Sequence, residues 1–519
     1  MQAILNRRLL LGAALGFTVA ALGAEKSAAG PVPAPVKLGS WWADYRAHDL
    51  TGLAELINRR KLSSAEVMEW AIAAAEAIDP TINAISVKFY DRARSQVANR
   101  KPDGAFGGVP YIYKDLGISL SGVPFTNGSR MFAGSTGDHN STIVERGNRA
   151  GLIAFALSAA PELGLTGTTE SVLHGATRNP WALDRIAGGS SGGAAALVAA
   201  GVVPAAHASD YAGSIRTPAS CCGLFGLKPS RGRTPTGPAR IEDWSGLHQM
   251  HAVTRSVRDS ALLLDVAAGP EAGSQYVAPP PERSYVAEVR RPVGRLRIAV
   301  QRSAGAGARL DPEVSDALGR TARLLQSLGH DVEDAEAPAD YEALGRGLAA
   351  VLGANVVFLI DERARALGRG PNEGDLEPVT WWLYRQGKQV TGDALERASQ
   401  DFHRASRAMA AFHQTYDVLL SPTVAQLPLP LGTIDLVTDD IDDWVARITA
   451  FGPFASLANQ TGQPAMSVPL AWSRSGLPIG MMFTGRYGDE AALFRLAAQL
   501  EAAAPWFDRT QDVHRGRPA

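Results

Sequence analysis

Cysteine is almost missing from this chain. Its 519 residues hold two, Cys221 and Cys222, and they are neighbours. A bridge between adjacent residues would be strained, so no structural disulfide is expected. Two thiols cannot build a thiolate zinc site either, and no HExxH helix supplies a histidine alternative. A surplus of one charge is missing too. Lys plus Arg is 51, Asp plus Glu is 52, and the net charge is −1. Without a basic excess to collect phosphates, a nucleic-acid partner is not expected. Lysine is rare, with eight residues against 43 arginines. The composition is otherwise that of a folded chain, 45% hydrophobic and 20% charged, which excludes disorder. Neither an internal repeat nor a low-complexity block is found.

Arg7-Arg8 precede the uncharged run Leu9–Ala24. Sixteen helical residues rise about 24 Å, short of the roughly 30 Å hydrocarbon core. Small residues follow at Ala21, Gly23 and Ala24, as a cleavage site needs. Residues 1–24 therefore read as an export signal, and Asn6-Arg7-Arg8-Leu9-Leu10-Leu11 resembles the twin-arginine type. The expected location is the bacterial periplasm or the outside of the cell, with no membrane anchor left after cleavage. Residues 25–45, rich in Pro, Ala and Gly, read as a linker, 46–510 as one domain, and 511–519 as a tail.

Ser63 followed by Glu66 has capping-box spacing and predicts a helix through Ile78. "LRIAV" at 296–300 reads as a buried strand, and Asp311–Leu328 as a helix behind it. Alternating strands and helices predict an α/β fold, helices sandwiching a mostly parallel or mixed sheet. The polar stretch 366–400 is the best candidate for an insertion over a site.

The chemistry concentrates between residues 110 and 230. Gly188-Gly189-Ser190-Ser191-Gly192-Gly193 sets two serines between glycine pairs, where backbone can approach closely. Asp210-Tyr211-Ala212-Gly213-Ser214-Ile215-Arg216 follows, with a serine again after a glycine and several amides able to converge on one point. Either string alone suits a structural or phosphate-cradling loop as well as catalysis. A third element is Lys114, in the apolar run "VPYIYKDLG". Burying a charged lysine is costly, and burial lowers its pKa toward the range of a base. Snorkelling, or pairing with Asp115, is the other reading of that lysine.

Together these elements resemble the amidase signature family. Lys114 to Ser190 is 76 residues, and Ser190 to Ser214 is 24. "TRNPWALDRIAGGSSGG" at 177–193, "CCGLFGLKPSRGR" at 221–233, "YDVLLSPT" at 416–423 and "NQTGQPAMSVPL" at 459–470 extend the likeness over residues 48–505. The resemblance implies a large mixed sheet between helices, no metal and no cofactor. It also implies a small-molecule amide as substrate, and a homodimer is common in the family. It matches Ser214 to the nucleophile and Ser190, after a cis peptide bond, to a bridging serine. Lys114 matches the base, and the amides of Tyr211, Ala212, Gly213 and Ser214 match the oxyanion hole. Ser191 matches a supporting hydroxyl near the lysine. An activated serine of this kind forms an acyl-enzyme that water resolves.

Departures from the family pattern mark the nucleophile loop. Ala212 stands where the first of two glycines is usual, and His207-Ala208-Ser209-Asp210 replaces the usual Gly-Thr-Asp lead-in. His207 reads as structural, and an ion pair of Asp210 with Arg216 is expected to brace the loop. The lead-in and the Cys-Cys-Gly string resemble the nylon-oligomer branch, that of 6-aminohexanoate cyclic-dimer hydrolase. Trp244, Trp381, Trp382 and Tyr384 are candidates to line an apolar pocket or to pack elsewhere. The expected substrates are hydrophobic aryl or alkyl amides and anilides, with carbamates and oligoamides in reach. The rivals are an acyltransferase using the same acyl-enzyme and a non-catalytic, amidotransferase-like subunit. Gly188–Gly192 also fits the G-x-S-x-G elbow of α/β-hydrolases, but "NPWALDRIA" before it is a poor strand.

Overall fold

The computed structural model describes residues 38–99, 104–240, 242–303 and 309–510. The export signal of residues 1–24 and the tail of 511–519 lie outside the described residues. The reading of 25–45 as linker needs a correction at its end. Trp41–Arg46 form a helix, and the Trp41 ring stacks on Trp70 at 5.7 Å and 3° while Tyr45 is buried. Aromatic burial orders those residues despite the flexible composition before them.

The next helices follow local rules. Ser63 and Glu66 form the reciprocal capping box, and the helix runs Ser64–Ile82, four residues past the expected Ile78. Pro80 sits inside it without ending it. The Asp79 carboxylate accepts the amides of Ala84 and Ile85 and so turns the chain into the strand Ile85–Lys88. Asp311 caps the helix Pro312–Ser327, which follows the strand Arg297–Val300.

Two sheets result. The larger has eight strands in the order Ala205–Asp210, Gln249–Thr254, Phe225–Lys228, Ala465–Trp472, Pro478–Thr484, Val418–Pro422, Arg297–Val300, Asp331–Asp334. It is mixed. The first six strands pair antiparallel, and the last two join in parallel. A three-stranded sheet lies beside it, with Ile153–Ser158 between Ile85–Lys88 and Pro110–Lys114. Every residue of Pro110–Lys114 and of Ala205–Asp210 is buried, so both strands are covered on both faces. The small residues of the helix Gly192–Ala199 let it sit fully buried against them. Gly189 is required by close approach, because a Cβ there would lie 2.2 Å from the Thr168 carbonyl oxygen.

The stretch 366–400 belongs to a larger helical layer. It comprises Tyr341–Leu367, Pro378–Gly387 and Gly392–Thr415. The first two of these helices face a cavity of about 640 Å³.

Candidate active site

Three segments meet at that cavity. Lys114 ends the edge strand of the small sheet. Ser190 lies in the glycine loop before Gly192–Ala199. Ser214 lies in the turn between Ala205–Asp210 and the helix Arg216–Cys222. Lys114 Nζ is 2.7 Å from Ser190 Oγ. The Gly189–Ser190 peptide bond is cis. Ser190 and Ser214 both line the cavity. The structure therefore sets Ser190 and Ser214 in the lining of one chamber, with the buried Lys114 behind Ser190 and in contact with it.

Lys114 is completely buried, and burial lowers its amine from 10.5 to about 7 although Asp210 nearby works in the other direction. A neutral amine has two N–H groups and one lone pair. One N–H reaches Ser209 Oγ at 3.2 Å, which leaves the lone pair free to take a proton from Ser190. Ser191, expected as a supporting hydroxyl near the lysine, donates to the Ser209 carbonyl at 3.2 Å and accepts from the Ser209 amide at 3.3 Å. Ser191 thus positions Ser209, and Ser209 touches the lysine.

His207 stands behind the lysine. Its Nδ1 accepts the Lys114 backbone N–H at 3.4 Å. Burial, and then the lysine charge, hold its imidazole well below the usual range. Among the described residues no histidine bonds to Ser190 or Ser214, so the α/β-hydrolase arrangement has no base here.

The nucleophile loop is held by a buried ion pair. Arg216 Nε and Nη2 each donate to Asp210 at 2.9 Å, and both side chains are fully buried. Burial alone would raise the Asp210 carboxyl, but Arg216 beside it, helped by Lys228 and Asn459, holds it well below the usual range. Asn459 closes the cluster, donating to Asp210 Oδ1 at 2.9 Å and accepting from Arg216 at 2.7 Å. Such a paired and fully hydrogen-bonded charge stabilises one geometry.

The same carboxylate changes the expected oxyanion set. The Gly213 amide donates to Asp210 Oδ1 at 2.8 Å, so it is already used. The amides of Tyr211, Ala212 and Ser214 have no acceptor among the described residues. Gly213 is needed for another reason: its φ is +130°, and a Cβ there would meet the Ala455 methyl at 2.8 Å. Ala212 has no positive φ, and the methyl replacing the usual hydrogen forms part of the cavity wall.

The rest of the lining is mostly apolar. Leu344, Leu348 and Leu352 come from one covering helix, and Trp382 and Leu383 from the next. Trp244 also lines it, against Tyr211 with ring centroids 4.7 Å apart. Trp381 and Tyr384 do not line it; they pack on each other at 5.8 Å. Trp444, Ile448 and Phe451, on the helix Ile441–Phe451, complete the wall. Sequence reasoning did not single these out, because on a half-exposed helix they look like ordinary packing residues.

Comparison with known proteins identifies the family. The family described as Amidase matches residues 66–494. The 6-aminohexanoate-cyclic-dimer hydrolase of Paenarthrobacter ureafaciens is 37% identical over 476 residues, covering 89% of this chain and 96% of that protein. An acylamidase of Rhodococcus erythropolis is 32% identical over 482 residues, covering 88% and 96%. The structure of a 6-aminohexanoate cyclic dimer hydrolase complexed with substrate superposes with a TM-score of 0.85 at 35% identity, covering 92% of this chain and all of the other. A bacterial aryl acylamidase superposes with a TM-score of 0.82 at 27% identity, covering 91% and 99%.

Proposed function

The chain belongs to the amidase signature family and is a serine amidohydrolase, and we propose that Ser214, Ser190 and Lys114 are its catalytic relay and hydrophobic amides its substrates. The observation that carries the relay is the 2.7 Å contact of Ser190 with a buried lysine whose amine falls to about 7. Neutral Lys114 takes the Ser190 proton as Ser190 takes that of Ser214. Ser214 Oγ then attacks the amide carbon. The oxyanion is received by the amides of Tyr211, Ala212 and Ser214, which are free of other acceptors. Ser190 returns a proton to the leaving nitrogen, the C–N bond breaks, and the amine departs. Water attacks the Ser214 ester through the same relay and releases the carboxylic acid.

The substrate reading rests on the cavity. Its volume of about 640 Å³ and its tryptophan, phenylalanine and leucine walls suit an aryl or long alkyl group. The likeness to an acylamidase and to a cyclic-dimer hydrolase supports anilides and oligoamides, and carbamates share the same carbonyl chemistry. Export is part of the proposal, supported by Arg7-Arg8 and the run after it. The test is amine release from an acyl nitroanilide, a short primary amide, an aryl carbamate, and linear and cyclic 6-aminohexanoate oligomers. Ser214→Ala should abolish release. A uniform preference for the short primary amide would overturn the substrate reading, and full activity in Ser214→Ala would overturn the relay.

A further inference from the structure

Most of the cavity wall is apolar or carries hydroxyls and amides, and its acid and its arginine sit together at one corner. Among the described residues lining it, Arg240 is the one arginine or lysine and Asp243 the one acid. They are not equivalent. Asp243 is 8% exposed and already paired twice, with Arg240 Nη1 at 3.1 Å and with His248 Nδ1 at 2.8 Å. Arg240 is 36% exposed and uses only Nη1, leaving Nε and Nη2 without an acceptor among the described residues. Its guanidinium also lies over the ring of Phe358, 5.2 Å from the centroid, and that ring is 48% exposed. Phe358 covers one face of the guanidinium and Asp243 pins one corner. What remains open is a planar edge of N–H donors, the shape that matches a carboxylate.

We propose that Arg240 determines specificity by binding a carboxylate that the amide substrate carries at the end remote from its scissile bond. The proposal rests on the amidase reading and narrows its substrate class to amides that are apolar in the middle and anionic at one end. The alternatives are disfavoured by the same residues. An ammonium end would meet an Asp243 already paired with Arg240, and Arg240 itself repelling it. A carboxylate placed elsewhere in the cavity would find hydroxyls and amides but no arginine or lysine to balance its charge. Monoamides of long dicarboxylic acids, and linear amides of ω-amino acids, have the required form. Cyclic oligoamides lack the charged end and gain nothing from Arg240.

The experiment compares three nitroanilides of equal length, ending in a carboxylate, its methyl ester and an ammonium. Each is measured with the wild type, Arg240→Gln and Arg240→Lys. The wild type should prefer the carboxylate, and the carboxylate-to-ester ratio of kcat/KM should fall about tenfold in Arg240→Gln, a partly exposed charge-assisted bond being modest. The loss should sit in KM, and Arg240→Lys should recover part of it. Added salt should raise the wild-type KM for the carboxylate and leave that for the ester in place. Equal cleavage of carboxylate and ester by the wild type would overturn the proposal. So would a loss in Arg240→Gln that is the same for all three, which would mark a packing role on Phe358. Should Arg240→Gln not fold, the wild-type preference and its salt dependence decide the matter. Failure of the wild type to cleave any of the three would overturn the amidase reading itself, and this one with it.

Discussion

If Lys114 is the base, the activity must follow its protonation. Lys114 is fully buried, and burial lowers its amine from 10.5 to about 7. That gap corresponds to about 5 kcal/mol against the ammonium form, at 1.36 kcal/mol per pKa unit. The acidic limb of kcat/KM should therefore fall near pH 7. One unit below it about a tenth of the enzyme is competent, and two units below about a hundredth. Lys114→Met should remove the limb together with nearly all turnover. Ser209→Ala, which deletes the second contact of Nζ, should shift the limb while the chemistry persists. The assay is nitroanilide cleavage between pH 5 and 10, with a substrate that does not titrate there. A limb near pH 10 in the wild type would refute the argument, because it would mean that burial does not neutralise this lysine. A limb near 7 that survives in the residual activity of Lys114→Met would refute it differently, by assigning the titration to another group. The sign on stability is opposite to that of an ordinary ion pair. The folded pKa is below the unfolded one, so the unfolded chain binds the extra proton between about pH 7 and 10.5, and this site favours folding more as pH rises through that window.

Glu377 gives the reverse sign. Burial, and then the Glu162 carboxyl, push it up to about 8, so the stability linked to it is present below 4.5 and lost as pH rises through about 8. Urea unfolding between pH 5 and 9 should show a smaller decline in Glu377→Gln than in the wild type, and an equal decline would reject the assignment. Asp210→Asn leaves Arg216 buried without its counter-charge and should cost about 3–5 kcal/mol of stability with loss of activity, measured by chemical unfolding. Gly189→Ala puts a methyl 2.2 Å from the Thr168 oxygen, and soluble, active protein should not be recovered from expression. Trp382→Ala removes part of the cavity wall and should raise KM for an anilide about tenfold, with less effect on a short aliphatic amide; equal effects on both would place Trp382 outside the binding surface.

The sequence carried much of this because its signals are local. A capping box needs four residues, and Ser63 with Glu66 announced the start of its helix. The end was not legible, because the helix continues through Pro80 until Asp79 captures the amides of Ala84 and Ile85. Serines between glycines, and a lysine in an apolar run, were legible as candidates because those residue types are costly or conformationally special where they stand. Their family spacing joined them into one site. The helical layer over the cavity was only partly legible. The polar stretch was visible, but its cavity wall begins at Tyr341 on a helix whose apolar residues look like core.

By itself the sequence determined the class of the chain: a mixed α/β amidase with Lys114, Ser190 and Ser214 as its candidate relay. Tertiary structure alone decided which groups around those residues are available. Ser209 lies in a strand buried on both faces, so no alternation of polar and apolar residues marks its hydroxyl as the one beside Lys114. Gly213 belongs to the nucleophile loop by sequence, yet its amide is taken by Asp210, which Arg216 and Asn459 hold in place from 6 and 249 residues away. Arg240 and Phe358 meet from segments more than a hundred residues apart. Sequence records which groups can donate, accept or titrate. Their pairing depends on distances of a few ångströms, and those exist only once the chain has packed.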